Sequence, residues 1–243
     1  MTKSDFSRLA AENFEKNGIS HFATDEILSQ LFDLCEIFLS MNEKMNLTAI
    51  KDERLVISRH FADCLIPASF FPFQTNVLDV GSGGGMPALP LAIARPDLKI
   101  TALDATAKKT EYIKNTACTL GLSNVSVVTG RAEELAHTNL RLTFDVVTAR
   151  AVAQTNVLSE LCVPFIKKGG LFIAFKGKRE DDSAATAASA TNALGCRLAS
   201  DNTFKLVDAD GITSERHVLV YEKIAETPKI YPRKYAQILK NPL

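Results

Sequence analysis

The 243-residue sequence lacks tryptophan altogether and is poor in histidine and cysteine, and each scarcity excludes something. The five cysteines, at positions 35, 64, 118, 162 and 196, are odd in number and widely spaced. Neither a disulfide framework nor a C-x-x-C metal site can be read from them, and a reducing, cytoplasmic setting is expected. The four histidines, at 21, 60, 137 and 217, offer no paired spacing such as H-E-x-x-H, so no metal is expected. No apolar run approaches the roughly 18 residues of a spanning helix. The charged opening, Met1-Thr2-Lys3-Ser4-Asp5, lacks the apolar stretch of a signal peptide, and no membrane partner is expected. Charge of one sign is also missing: 28 Lys and Arg balance 28 Asp and Glu. A uniformly basic nucleic-acid binder is thereby excluded, and any polyanion must be held by local patches.

Hydrophobic residues at 46% and charged residues at 23% are those of a globular chain with a sizeable core. The length suggests one core of about 150 to 180 residues plus an appendage. Residues 1–74 read as helices. Ser4 can cap a first helix running to Asn17-Gly18, and Thr24 a second. In the second, Ile27, Leu28, Leu31, Phe32, Cys35, Phe38 and Leu39 recur at helical steps and mark a buried face rather than a cofactor box. A third stretch, about 52–65, should be stopped by Pro67.

From residue 76 short apolar runs alternate with helical ones: 77–80, 100–103, 125–129, 144–148 and 171–175. Strands alternating with helices imply a parallel sheet. Pro87 should open the helix after the first strand, Thr106 should cap the next and Gly121 end it. The Ala-rich stretch 183–194 has helix-forming composition. After it, 204–207 and 218–221 flank Asp210-Gly211 as a terminal antiparallel hairpin. The expected organisation is a helical appendage over 1–74, a Rossmann-like domain over 75–225 and a basic tail over 226–243.

Val77-Leu78-Asp79-Val80-Gly81-Ser82-Gly83-Gly84-Gly85-Met86-Pro87 is a strand running through a glycine turn into a helix. A dinucleotide fingerprint would need its third glycine at 86, which is Met; the spacing present is D-x-G-x-G-x-G. That pattern favours S-adenosylmethionine over a pyrophosphate ligand, which wants a helix N-terminus aimed at it. Asp104 ends the second strand, where a carboxylate can accept both ribose hydroxyls. Ala132 and Glu133 follow the third strand and Arg150 ends the fourth, all at the carboxyl edge where open α/β sheets bind ligands. A helix-dipole role is an equal alternative for Glu133. The fold expected is a class I S-adenosylmethionine-dependent methyltransferase: Rossmann-like, a seven-stranded, mostly parallel sheet with a terminal antiparallel hairpin, plus the N-terminal helices.

Several pieces together resemble the bacterial GidB/RsmG family over nearly the whole chain. They are Asn46 to Ile50, His60 to Leu65, Asp79 to Pro90, Arg131-Ala132-Glu133, Ala149 to Ala153, Phe175-Lys176-Gly177 and Tyr231 to Leu243. The resemblance implies transfer of a methyl group from S-adenosyl-L-methionine to N7 of a single guanine of 16S ribosomal RNA, in the RNA or the small ribosomal subunit. Carried over by position, cofactor contacts fall on Gly81, Met86, Asp104, Ala105, Thr106, Ala132, Glu133 and Arg150, to which the glycine turn itself adds Gly83 and Gly85. Guanine N7 has a free lone pair, so no general acid or base is assigned; Arg150 and His60 are positioning candidates. Two stretches carry lysine and arginine without acids, 167–179 and 229–243, making Lys176, Lys178, Arg179, Arg233 and Lys234 candidates for RNA contact. Arg59, with His60 and Asp63 on one helical face, is a further candidate, or else part of a helix-capping network. A structural alternative for Tyr231-Pro232 is a strap docked on the helical appendage.

A monomer is expected. The competing readings are a methyltransferase acting on another RNA, a protein or a small molecule, and a non-catalytic ribosome-assembly factor with a vestigial pocket. The basic patches argue against a small-molecule substrate, and the intact Gly81, Gly83, Gly85 and Asp104 set argues against decay.

Overall fold

A computed structural model describes residues 1–150, 154–177 and 184–243. The chain opens with helices α1 (Lys3–Lys16) and α2 (Asp25–Met45). Thr2, not Ser4, caps α1: its hydroxyl accepts from the Asp5 amide at 3.2 Å, and an earlier start lets Asp5 sit in the positive first turn. Thr24 caps α2 as its position suggests, accepting from Ile27 N at 3.3 Å. Helical turns α3 (Glu53–Val56) and α4 (Asp63–Leu65) are joined by a wider π-type segment, Ile57–Ala62. Such widening is rare and often marks functional positions. Pro67 does not end the run; it opens a tighter 3₁₀ stretch, Ile66–Phe70, where its missing N–H costs little.

The sheet then follows: β1 (Asn76–Val80), α5 (Ala88–Ala94), β2 (Lys99–Asp104), α6 (Ala107–Thr119), β3 (Val125–Thr129), α7 (Ala132–Leu135), β4 (Phe144–Arg150), α8 (Thr155–Cys162), β5 (Ile166–Lys176), α9 (Ala184–Ala193), β6 (Cys196–Val207), β7 (Thr213–Lys223) and α10 (Tyr235–Lys240). The seven strands lie in the order β3-β2-β1-β4-β5-β7-β6. The first five are parallel; β7 runs antiparallel to both β5 and β6. The hairpin is longer than its apolar segments suggest, because the half-exposed residues of β6 pair with β7 outside the core.

Alternation along each strand sorts the side chains onto two faces. Val77, Ile100, Val146, Ile173 and Val218 join the core shared with α1, α2, α5 and α6, so the N-terminal helices pack on this first face. Leu78, Leu103, Val147, Phe172 and Tyr221 join the core shared with α8 and α10 on the second. By the same parity Asp79, Asp104, Arg150 and Arg216 belong to the first face. β4 and β5 shift register between Phe144 and Val146. The intervening Asp145 is pinned there, accepting from Asn76 N at 2.9 Å and pairing with Lys167.

Candidate active site

At the carboxyl end of β1 the chain turns through Gly81, Gly83 and Gly85, with φ of 75°, 55° and 80°. At Gly85 the lack of a side chain is also a steric need, since a Cβ would lie 2.5 Å from a Leu89 methyl. At Gly83 a Cβ would meet nothing nearer than the Gly81 carbonyl at 3.8 Å. The turn there is open backbone that a ligand can approach. Gly81 and Ser82 both donate to the Leu103 carbonyl, at 2.8 and 3.0 Å, which ties the loop to the end of β2.

Asp104 completes that tie. Its Oδ2 accepts from Gly83 N at 3.0 Å and its Oδ1 from Thr106 N at 2.8 Å. Each carboxylate oxygen keeps a further acceptor position. Thr106 is the first-turn residue expected to cap α6, but its hydroxyl makes no capping bond; the Asp104 carboxylate takes the amide of Thr106 itself. Asp79 lies two residues before the loop, in register with Ala102 of β2. It is 1% exposed, and neither of its carboxylate oxygens has a hydrogen-bond partner among the described residues. Burial pushes its carboxyl up to about 7. An orphaned buried acid is costly unless something cationic arrives.

These two carboxylates test whether the residues fit S-adenosylmethionine. Asp79 suits an ammonium group and Asp104 suits vicinal hydroxyls, while the open backbone at Gly83 leaves room between them. The donor set fits. Met86 and Ala132 are buried beside this edge, and Ala105 and Thr106 are exposed on it. Glu133 is tied to Arg131, whose guanidinium lies 5.0 Å over the ring of Tyr235.

The other half of the edge is stitched by charge. Arg150, at the end of β4, donates from Nε and Nη2 to Oδ2 of Asp63 at 3.0 and 2.7 Å, and from Nη2 to the Arg59 carbonyl at 2.8 Å. Asp63 Oδ1 accepts from Arg216 Nε of β7 at 2.7 Å. One carboxylate on the helical layer therefore binds two strands of the sheet. His60 Nδ1 faces Arg150 Nη1 at 3.4 Å and must be the acceptor there, so Nε2 carries the proton and donates to Thr48 Oγ1 at 3.1 Å. Burial and the neighbouring Arg150 charge lower its pKa to about 4. His60 is a neutral strut at working pH. Arg150 is expected on the cofactor; among the described residues its donors go to the N-terminal helices.

Arg59 pairs with Asp208 at 2.5 Å, a network between helix and hairpin rather than a free cation. Arg233 places its N and Nε on Glu160 Oε1, at 2.8 and 2.9 Å, and its Nη2 on Oε2 at 2.6 Å. Glu160, in α8, has no exposed surface. The tail is thus a strap, but it docks on α8 and the second face, not on the N-terminal helices. Arg141 reinforces it through the carbonyls of Thr227 and Tyr231, each at 2.8 Å. Lys234 is exposed beside this anchor, and Lys176 stands at the end of β5. Lys178 and Arg179 lie outside the described residues. No role falls to Asp79 from the sequence alone, although it lies in the glycine motif, and none to Arg216. The latter was findable: two residues ahead of an apolar return strand, it had to fall on the ligand-binding edge.

A 3-2-1-4-5-7-6 sheet with a glycine loop and strand-end acids defines the class I S-adenosylmethionine-dependent methyltransferase fold. TYW2 of M. jannaschii, solved in complex with AdoMet, shares it at a TM-score of 0.54 and 17% identity, over 68% of this chain and 76% of that one. A SAM-dependent methyltransferase structure from Methanosarcina mazei does so at 0.51 and 12% identity, over 66% of this chain and 98% of that one. The family described as GidB, rRNA small subunit methyltransferase G, matches residues 27–210, and the chain belongs to it. It is 42% identical over 246 residues, covering 100% of both chains, to the ribosomal RNA small subunit methyltransferase G of Brevibacillus brevis. To the protein of that name from Staphylococcus aureus strain JH9 it is 39% identical over 235 residues, 96% of each chain.

Proposed function

We propose that the protein transfers a methyl group from S-adenosyl-L-methionine to N7 of a single guanine in 16S ribosomal RNA, acting as a cytoplasmic monomer on the small ribosomal subunit or its RNA. The observation that carries this reading is the pair of carboxylates beside the glycine loop, orphaned Asp79 and loop-held Asp104, in a chain of this family. S-adenosylmethionine supplies an activated methyl carbon next to a sulfonium centre. Gly81, Gly83 and Gly85 let the backbone approach it, Asp79 meets its ammonium group, and Asp104 its ribose hydroxyls, with Met86, Ala105, Thr106, Ala132 and Glu133 as walls.

Guanine N7 needs no deprotonation, so what this chain contributes is orientation, an effect worth roughly 7 to 11 kcal/mol when the reacting atoms are well aligned. Arg150 and His60 serve it indirectly: with Asp63 and Thr48 they hold the helical layer against the strand ends. Transfer leaves positive charge on the ring, so a cation pressed on N7 would oppose it. Lys176, Lys178, Arg179 and Lys234 meet phosphates, whereas Arg59 and Arg233 act first as anchors.

Labelled S-adenosylmethionine, incubated with small-subunit RNA or subunits lacking the modification and followed by nucleoside analysis, tests the reading. Label in 7-methylguanosine is the expected result; label elsewhere, or none, would overturn it.

A further inference from the structure

Beyond the end of β4, away from the glycine loop, lies a cavity of about 240 Å³ between the helical layer and the sheet. Ile66, Pro67, Phe175 and Phe204 supply apolar walls; Asp63, Arg150, Lys176 and Arg216 supply charge. Its lining runs from the end of β4, one strand removed from β1, to β7 and β6, three and four strands away, at roughly 5 Å per strand. Two arginines share the single Asp63 carboxylate, so Arg150, Arg216 and Asp63 together leave the cavity with an excess of positive charge among the described residues. Arg216 spends Nε on Asp63 and Nη1 on Ser214 and the Glu215 carbonyl. Its Nη2 has no hydrogen-bond partner among the described residues.

Resting on the reading above, we propose that this cavity seats the unstacked acceptor guanine, with the Phe204 ring as its stacking wall and Arg216 as the donor that meets O6. The volume falls just below the range of about 300 to 1,000 Å³ usual for drug-sized ligands, which suits one base and not a run of nucleotides. Phe204 is half-buried and held edge-on by Phe70, ring centroids 6.1 Å apart. It is thus a fixed aromatic surface, and base–aromatic stacking of this kind is the general means of holding a splayed base. A two-pronged arginine on O6 and N7 would block the nucleophile. An arginine with its other nitrogens already committed offers a single prong, and that leaves N7 unblocked. Adenine would turn an amino group towards the same donor, leaving both unpaired, so the arrangement selects guanine.

Two variants test this: Phe204→Leu, which keeps apolar volume but loses the ring face, and Arg216→Gln, which keeps a donor but loses charge and reach. The expected result is a fall of about 10- to 100-fold in kcat/KM for small-subunit RNA in each, with cofactor affinity within twofold of the wild type and the thermal midpoint unchanged in Phe204→Leu but lowered in Arg216→Gln, which gives up its pair with Asp63. Unaltered kcat/KM in both variants, with an active wild type, overturns the cavity assignment and leaves the methyltransferase reading standing. If the wild type methylates no RNA, that reading fails, and 5′-GMP then judges the cavity alone. GMP-dependent shifts of the Phe204 ring signals, followed by nuclear magnetic resonance and lost in Arg216→Gln, support a guanine site; no shift at millimolar GMP overturns it.

Discussion

The two halves of the carboxyl edge are built by different means. Around the ends of β1 and β2 the ties are short in sequence and largely backbone: loop amides on the Leu103 carbonyl, Gly83 and Thr106 amides on Asp104. Around β4, β5 and β7 they are side-chain ion pairs between distant parts of the chain, Asp63 reaching Arg150 and Arg216. A backbone-built half keeps its shape when one side chain is lost. The half built from charges depends on each partner, because removing one member leaves the other buried and unpaired.

Asp63→Ala is the sharpest way to break that contrast. It strands two mostly buried arginines and should cost about 3 to 5 kcal/mol of stability, while the folded fraction keeps cofactor affinity; chemical denaturation and calorimetry measure the two. Loss of affinity equal to the loss of stability would mean that the halves are one unit. Arg233→Ala should cost about 3 kcal/mol, the lower end of the same range, because Glu160 loses its partner while water reaches the tail. A lowered thermal midpoint that Glu160→Gln partly restores is the expected signature.

On the other half, Asp104→Ala should weaken cofactor binding by roughly 1.5 to 3 kcal/mol, the worth of hydrogen bonds to a charged group, without unfolding the chain. Titration calorimetry decides it, and unchanged affinity would remove Asp104 from the site. Asp79 sharpens the comparison through pH. Its carboxyl titrates near 7 in the free protein against an unfolded value of 3.8. The folded state therefore holds an extra proton between those values, and the stability it lends is lost as pH rises through about 7. Binding a cationic ligand needs the carboxylate, so affinity should fall up to tenfold per unit below pH 7, with proton release on binding. Asp79→Asn should abolish both the pH slope and the proton release. At saturating cofactor, the rate should stay flat from about pH 6.5 to 9, since N7 has no proton to lose and His60 titrates far below. The smallest effect is expected for Lys234→Ala: an RNA salt slope less steep by about 0.7 to 0.9, the share of one phosphate, at unchanged stability.

The same contrast explains what is legible in the sequence alone. The glycine loop, Asp104 and the strand rhythm were legible because their logic is local: a turn needing positive φ announces itself in its own residues. Asp63, Arg150 and Arg216 are ordinary charges until the sheet order brings β7 beside β5, so Arg150 was read as a cofactor contact. Arg233 is a case of the same kind. A cation without acids nearby in sequence looks like a phosphate ligand, yet its acid, Glu160, is 73 positions away. Asp79 was hidden by its strand, since one acid in an apolar run gives no sign that it is left without a partner.

The displaced pairing at Asp145 sets which atoms reach the site from the opposite end of the molecule. Side chains in β4 alternate between faces, so the register held at Asp145 fixes the phase of everything downstream: with it, Arg150 faces the helical layer and Ala149 faces α8. A slip of β4 by one position would exchange them, putting a methyl where the guanidinium stands and a buried charge in an apolar core. Asp145, gripped by Asn76 and Lys167, thus acts as an index mark for the strand. The chemistry at one rim of the sheet is counted off from a peg at the other.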